Sequence, residues 1–556
     1  MSKKTTVIVS VIGSVIVAVL VIVLWLVFYE SGPKLTRYEI DHDAQGVMEK
    51  VNNIYSASIV SNDPNVYKAE YEAGFIQGKL QRDQIVAMRD NSWDSAYLTD
   101  TSHAYPKQIP PSKDELALAQ KTLKSNWEYS LDYIRRQGNS DVGKNLRRLM
   151  YRLVGIYHGA VKDKPEALAF DDRWFPAFSD TEMDVGYETQ SLTFMDLYFV
   201  NTYQDMLYVL PDYAPTVAMP VPPPSGSASA DRPSKCSAFI KRTPDDIYLT
   251  HNSWNSFLAQ SQALTMWING DFMTANIGGP GYLGSGVDFG YTNKGIIFNE
   301  TTHGYSYTEP KTNALWSFWR ATLAEQFATS LDEFFRYVSL EASGTYMNGY
   351  MVVDAKTKEI GLVEMSYKSF VFFKPDGKGG IAVTTKPDGL NKTYDKEMVQ
   401  PDYLLGINYP ASQQIRDDLK SQDSRPARKR QFLAQIGSVK DIESAKALIT
   451  YTDPENPLSI YGRWDLGYGE TPTPKTVPDG AVDAKAISTS MIEDVFDLKG
   501  VLDTSSPAEL FWMKFGTPYV DGKPFIWSES QWKGTKLRYV PDRIDGEFTL
   551  LNEYIR

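Results

Sequence analysis

An α+β fold behind one membrane-spanning helix is what this sequence predicts, and three observations predict it. Val7 to Phe28 (VIVSVIGSVIVAVLVIVLWLVF) is apolar, and no charged residue stands between Lys4 and Glu30. From Tyr38 to about Asp212 the chain carries apolar residues at three- and four-residue spacing, the pattern of helices buried on one face. Beyond Cys236 come short strand-like runs joined by polar or Gly-containing turns, as in VVDAKTKEIGLV, which implies antiparallel hairpins. Helices before and among antiparallel strands give a layered α+β domain and not a βαβ wind.

In chain order, residues 1–29 read as a signal-anchor. At helical rise the apolar run reaches roughly 33 Å, enough to cross a hydrocarbon core of about 30 Å. Trp25, Phe28 and Tyr29 lie where an interfacial aromatic belt falls, and no A-x-A cleavage pattern follows. Residues 30–213 read as mainly helical, in YEAGFIQGKLQRDQIVAMRD, KTLKSNWEYSLDYIRRQG and NLRRLMYRLVGIYHGAV. Residues 214–235, dense in Pro, Ser, Gly and Ala, are too poor in apolar surface to order themselves and read as an exposed linker. Residues 236–556 hold the strands CSAFIKR, DIYLTHN, LTMWI, FMTANI, GIIFNETT, YMVVDA, EIGLVEMSY and FVFFK. Helical patterning returns at LWSFWRATLAEQF and SLDEFFRYVS.

Composition narrows the partners. A net charge of −12 argues against a nucleic-acid backbone, whose binders concentrate Lys and Arg. The five histidines (His42, His103, His158, His251 and His303) have no H-E-x-x-H or paired Cys/His spacing, so no metal site is predicted. IGGPGYLGSG (Ile277 to Gly286) is glycine-rich but lacks a βαβ setting; it reads as a wide active-site or surface loop, and no cofactor is predicted.

Cys236 is the one cysteine of 556 residues, and it sits where the linker meets the first strand. A lone cysteine is ordinarily a small buried hydrophobe. Its position gives it another use. Were the bond between Lys235 and Cys236 cut, Cys236 would own both a thiol and a free α-amine. The amine, with an ordinary pKa of about 7.7–8.0, can take the proton of a thiol near ~8.5 without a histidine partner. A nucleophile that carries its own base is an established route to activation, and a flexible segment upstream would let the new ends separate.

The surrounding blocks add to this. CSAFIK is followed by HNSWNSF, FNETTHG (Phe298 to Gly304), SGTYMNGYMVVD (Ser343 to Asp354), GINYP (Gly406 to Pro410), VDAKAISTSM and FWMKFGTPYVDGKPFIW. In this order they resemble the phospholipase B-like (lamina ancestor) family of N-terminal nucleophile hydrolases, and the resemblance covers nearly everything after the anchor. It implies a four-layer αββα sandwich of two antiparallel sheets, self-cleaved between Lys235 and Cys236, with Cys236 as nucleophile. His251 and Trp254 match the HN-x-W motif, His251 tuning the nucleophile and its amine and Asn252 adding a hydrogen bond. Thr301 and Thr302 end a strand where the family places a main-chain oxyanion donor, and the side chain of Asn408 would complete that hole. Either Arg425 or Arg428 lies near the amine. Three features depart from the family pattern: Lys235 stands in place of a small residue, the cysteines that relatives pair are missing, and an anchor replaces a cleaved signal.

The expectation is therefore a membrane-tethered hydrolase with its catalytic part outside the cytoplasm. It would cut a linear amide, or an acyl ester, of a small-molecule or acyl-lipid substrate through a Cys236 thioester. The alternative is a non-catalytic extracellular binding protein, in which Trp254, Trp267, Trp316 and Trp319 are binding platforms or simply core.

Overall fold

The computed structural model describes residues 35–97, 110–210, 236–462, 479–496 and 509–552, apart from 42, 52–53, 259–262, 270–271, 287, 306, 422–425, 454, 457 and 520–522. The expected anchor helix, the linker, Lys235 and Arg425 lie outside the described residues. Among the described residues no helix is long and apolar enough to cross a membrane.

The chain opens with strands β1 (Thr36–Asp41), β2 (Ala44–Val51) and β3 (Ile54–Ser61). The region from Tyr38 onward, read as mainly helical, thus holds these three strands before its helices. Val51 pairs with Ile54, and the sequence between them is Asn-Asn, a hairpin signal that outweighs weak helical spacing. Four helices follow: α1 (Val66–Tyr97), α2 (Lys113–Gln137), α3 (Asp141–Val161) and α4 (Phe194–Val209). Their starts are written in sequence. Ser112 and Glu115 form a capping box for α2, and Thr193 with Asp196 does the same for α4.

The strand-rich part holds β4 (Cys236–Arg242), β5 (Ile247–Ser256), β6 (Ala263–Asn269), β7 (Phe272–Gly278), β8 (Phe289–Thr292) and β9 (Ile296–Thr302). Helices α5 (Ser317–Phe327) and α6 (Leu331–Val338) precede β10 (Asn348–Asp354), β11 (Glu359–Met365), β12 (Phe370–Pro375), β13 (Ile381–Lys386) and β14 (Tyr403–Gly406). After α7 (Gln413–Leu419), α8 (Pro426–Gln435) and α9 (Ile442–Ile449) come β15 (Asp479–Ser488) and β16 (Glu509–Phe515). β17 (Phe525–Ile526), β18 (Arg543–Ile544) and β19 (Thr549–Asn552) end the chain.

Two large sheets result. One has eleven strands in the order β1-β2-β3-β6-β7-β8-β9-β10-β11-β12-β13, the other six in the order β14-β4-β5-β15-β16-β19; β17 and β18 form a small third. The first sheet is not wholly antiparallel, which corrects the expectation. β3 and β6 run parallel, from Tyr55 opposite Ala263 to Ser61 opposite Asn269, because a long crossover and not a hairpin connects them. That pairing joins the helical part to the strand-rich part in one sheet.

The inner strands β4 and β5 touch β9 of the first sheet, and the Asn299 amide donates to the Thr250 carbonyl between them (2.9 Å). Helix α9 touches β4, β5 and β15, while α1 touches β1, β2, β3 and β6. Trp254, Trp267, Trp316 and Trp319 are all buried, at most 2% exposed, so they are core and not binding platforms. The glycine-rich segment is no surface loop either. Gln81 on α1 accepts from the Gly281 N–H (2.9 Å) and Gln77 donates to the Tyr282 carbonyl (3.0 Å), which pins it inside the protein.

Candidate active site

Cys236 is the first residue of β4 and is buried. It pairs with Ser253 of β5, and Ser253 pairs in turn with Asp483 of β15. Directly paired residues share a face, so Cys236, Ser253 and Asp483 form one row across the sheet. The row beside it, on the same face, is Ala238, His251 and Lys485. Lys485 joins the rows: its ammonium donates to Ser253 Oγ (2.8 Å) and pairs with Asp483 (2.5 Å), both charges fully buried. Asp483 also accepts from the Ser253 N–H (3.0 Å).

The main chain of Cys236 is held on both sides of its α-carbon. Its N–H donates to Asn408 Oδ1 (3.0 Å), and its carbonyl accepts from Arg428 (2.6 Å). Asn408 follows β14 in the loop Ile407–Pro410 and sits in the left-handed region (φ +59), which asparagine tolerates better than most residues. Which end of its amide is oxygen follows from the network. One side faces three donors, Cys236 N and both Arg428 terminal nitrogens (3.1 Å each), and the other faces the Thr302 carbonyl (2.7 Å). Arg428, on α8, further donates to Ser237 Oγ (3.1 Å) and the Ile407 carbonyl (2.7 Å), and its guanidinium lies 4.6 Å over the Trp254 ring.

On the sulfur side the partners are acidic. A carboxylate oxygen of Asp288, one of Glu300 and Cys236 Sγ all lie within 4.8 Å of one another, and all three residues are buried. The Tyr346 hydroxyl lies between the two acids, 2.9 Å from Asp288 Oδ2 and 3.0 Å from Glu300 Oε2. Burial, then Glu300 and Asp288, push the thiol well above its ordinary range; a main-chain bond from Trp254 and the Lys485 charge act weakly the other way. Beside the acids lies a cavity of about 50 Å³, lined by Asp288, Tyr346, Glu325, Tyr350 and Asp205 among others. Glu325 is pushed up to about 8 by burial, with Asp288 adding to the rise.

The residues singled out from sequence divide as follows. Cys236, Asn408, Arg428 and Trp254 meet in one network, and of the two candidate arginines it is Arg428 that touches Cys236. Asn252 spends its side chain on main chain: Oδ1 accepts from Ser237 N (3.0 Å), and Nδ2 donates to the Ile449 (2.8 Å) and Ile460 (2.9 Å) carbonyls. It fixes the start of β4 and stands away from the sulfur. His251 is fully buried, neither ring nitrogen makes a hydrogen bond, and burial, then Lys485, hold its imidazole well below the ordinary value. Thr302 contributes a carbonyl that accepts the Asn408 amide, so one of the two hydrogens expected for an oxyanion is already engaged. Thr301 packs against β14: a side chain added at Gly406 would meet its methyl group.

Sequence reasoning missed Asp288, Glu300 and Tyr346. Glu300 stands inside the block FNETTHG and Tyr346 inside SGTYMNGYMVVD, so position within those blocks was the available signal.

The phospholipase B family model matches residues 177–550. Phospholipase B-like 1 of Rattus norvegicus is 24% identical over 324 residues, 56% of this chain and 51% of its own length. Phospholipase B-like protein G of Dictyostelium discoideum is 27% identical over 307 residues, 47% and 49% of the two chains. Phospholipase-B 81 of Drysdalia coronoides is 24% identical over 482 residues, 80% of this chain and 77% of its own. The match thus spans about half the length of the first two relatives.

Proposed function

Because the chain belongs to the phospholipase B family, we propose that it is a self-processing, membrane-tethered hydrolase with Cys236 as its nucleophile, in the four-layer αββα arrangement of N-terminal nucleophile enzymes. The observation that carries this reading is the clamp on the main chain of Cys236. Asn408 accepts from its nitrogen and Arg428 donates to its carbonyl. Any buried peptide group needs such partners, but here both bonds come from polar side chains, Asn408 and Arg428, and not from a neighbouring strand. They hold the residue at the strand start where cleavage of the preceding bond would turn a peptide nitrogen into an amine. With one hydrogen on Asn408 Oδ1, that amine keeps a lone pair for the thiol proton.

In turnover the sulfur attacks an acyl carbonyl and the amine takes its proton. Collapse passes that proton to the leaving group, releases an amine or alcohol and leaves a thioester on Cys236, and water activated by the freed amine then hydrolyses it. The second hydrogen of Asn408 Nδ2, not used by the Thr302 carbonyl, would serve as an oxyanion donor. The bond cut is the acyl bond of an amide or an ester, and phospholipid acyl esters are the class that the family name indicates. The apolar run Val7–Phe28 would tether the enzyme, with its catalytic part outside the cytoplasm.

The test uses purified full-length protein. A denaturing gel should show two fragments, 1–235 and 236–556, where Cys236→Ala stays one chain. Incubated with N-acyl amides, short peptides and lysophospholipids, the processed enzyme should carry an acyl adduct on Cys236 by mass spectrometry. Hydrolysis that survives intact in Cys236→Ala would sink the proposal.

A further inference from the structure

In the uncleaved chain the nitrogen of Cys236 is a peptide nitrogen that donates to Asn408. The amine that would serve turnover does not yet exist, so self-cleavage needs another acceptor for the thiol proton. Arg428 only donates. His251 lies in the next row, opposite Ala238, and burial and the Lys485 charge make its imidazole a poor base. Asp483 is engaged by Lys485 and by the Ser253 N–H. Asp288 and Glu300 are the carboxylates that the fold brings to the sulfur among the described residues, within 4.8 Å.

We propose that Asp288 and Glu300, bridged by the Tyr346 phenol, form the proton acceptor for self-cleavage at Cys236. The proposal rests on reading Cys236 as a self-processing nucleophile. Two strands build the pair side by side: Glu300 is in β9, Asp288 immediately precedes β8, and the Glu300 N–H donates to the Asp288 carbonyl (3.1 Å). Tyr346 has one proton for two carboxylates, so the three groups form a chain along which a proton can be relocated. The carboxylate oxygens and Sγ lie within 4.8 Å of one another, a separation that a proton crosses directly or through one water. Burial and the two acids favour the thiol over the thiolate, so proton removal accompanies attack.

The step balances. Sγ gives its proton to the acid pair and bonds to the carbonyl carbon of Lys235. The bond from that carbon to Cys236 N breaks, and the proton returns from the pair to the departing nitrogen, leaving a thioester and a free α-amine. Water then adds to the thioester carbon, the carbon–sulfur bond breaks, and the products are a carboxylate at Lys235 and a thiol at Cys236. One water is consumed.

The experiment compares full-length wild type with Glu300→Gln, Asp288→Asn and the double variant. Each is also made with Arg232→Asp, Pro233→Asp and Ser234→Asp. With Asp231, these place four aspartates before Lys235, the sequence after which enteropeptidase cuts. The expected result is self-cleavage slowed by about 10²-fold or more in the single variants, the scale of losing a positioned base. Melting temperatures should be unchanged, and hydrolysis should return once enteropeptidase frees the amine. Self-cleavage at the wild-type rate in the double variant would overturn the proposal. So would variants that stay inactive after the cut, because the acids would then serve turnover or folding and not the self-cleavage step. A wild type that never cleaves itself is a different result, and it removes the underlying reading of Cys236.

Discussion

The guanidinium of Arg428 ties together three pieces of chain that are far apart in sequence. It reaches the Cys236 carbonyl and Ser237 Oγ on β4, the Ile407 carbonyl and Asn408 Oδ1 after β14, and the ring of Trp254 on β5. A planar fork with five donors can do this, and a point charge on a flexible stem cannot. Arg428→Lys should therefore keep the fold and the charge but let the Cys236 main chain shift. A misplacement of about 1 Å is enough to cost roughly 10²-fold in a reaction that depends on alignment. The expected outcome is self-cleavage and turnover both slowed by about that factor, followed on gels and with an acyl substrate. A lysine variant that processes at the wild-type rate would show that the fork is dispensable.

Helices α1 and α3 approach closely enough for backbone to meet backbone. Gly74 and Gly78 of α1 face Gly155 and Gly159 of α3, and each glycine leaves room for the opposite backbone. A Cβ on Gly155 would run into the Tyr71 carbonyl oxygen, and one on Gly74 into that of Arg152. Alanine ordinarily favours a helix over glycine by up to about 1 kcal/mol. Here the sign should reverse, because backbone cannot move aside as a side-chain tip can. Gly155→Ala should lower stability by roughly 1–3 kcal/mol, the usual range for overpacking, while Gly437→Ala, which meets open space, should not. Thermal melts of the two variants decide it. The helices themselves were legible, because spacing and capping residues act within a few positions. The strands after Cys236 were legible for the same reason, each being a short alternation bounded by turns. β1 to β3 were not, since Gly46, Ser56 and Ser58 blur their alternation and the second partner of β3, strand β6, comes from a distant crossover. The choice between Arg425 and Arg428 was closed to sequence reading because the two stand three positions apart in one basic run, SRPARKRQ. Nor could spacing assemble the acid pair, since Asp288, Glu300 and Tyr346 meet only when β8, β9 and the turn before β10 are packed. Cys236 was legible from its placement at a linker–strand junction; what surrounds its sulfur was not.

At the scale of the molecule, the proposed cut would fall between two parts that share one sheet and one core. β1, β2 and β3 come from the first part and β6 to β13 from the second, joined by seven parallel residue pairs between β3 and β6. Buried polar links cross the same boundary. Asp205 of α4 accepts from the N–H groups of Ser317 (2.9 Å) and Phe318 (3.0 Å) at the start of α5, Arg152 of α3 donates to Gln326 (2.7 Å), and Arg538 pairs with Asp94 of α1. Separation would expose the apolar face of the long sheet and strand these groups without partners, each costing about 1–3 kcal/mol. The fragment 236–556 should therefore remain bound to 1–235 after cleavage. It has no comparable apolar run of its own, so it should fractionate with membranes only through its partner's Val7–Phe28 segment. Washing membranes with strong urea should release 236–556 and leave 1–235 behind, and protease added to intact cells should digest both outside the anchor. Recovery of folded 236–556 in the soluble fraction without denaturant would mean that the shared sheet does not hold the parts together. Full protection of both fragments in intact cells, with digestion after lysis, would place the catalytic part on the cytoplasmic side.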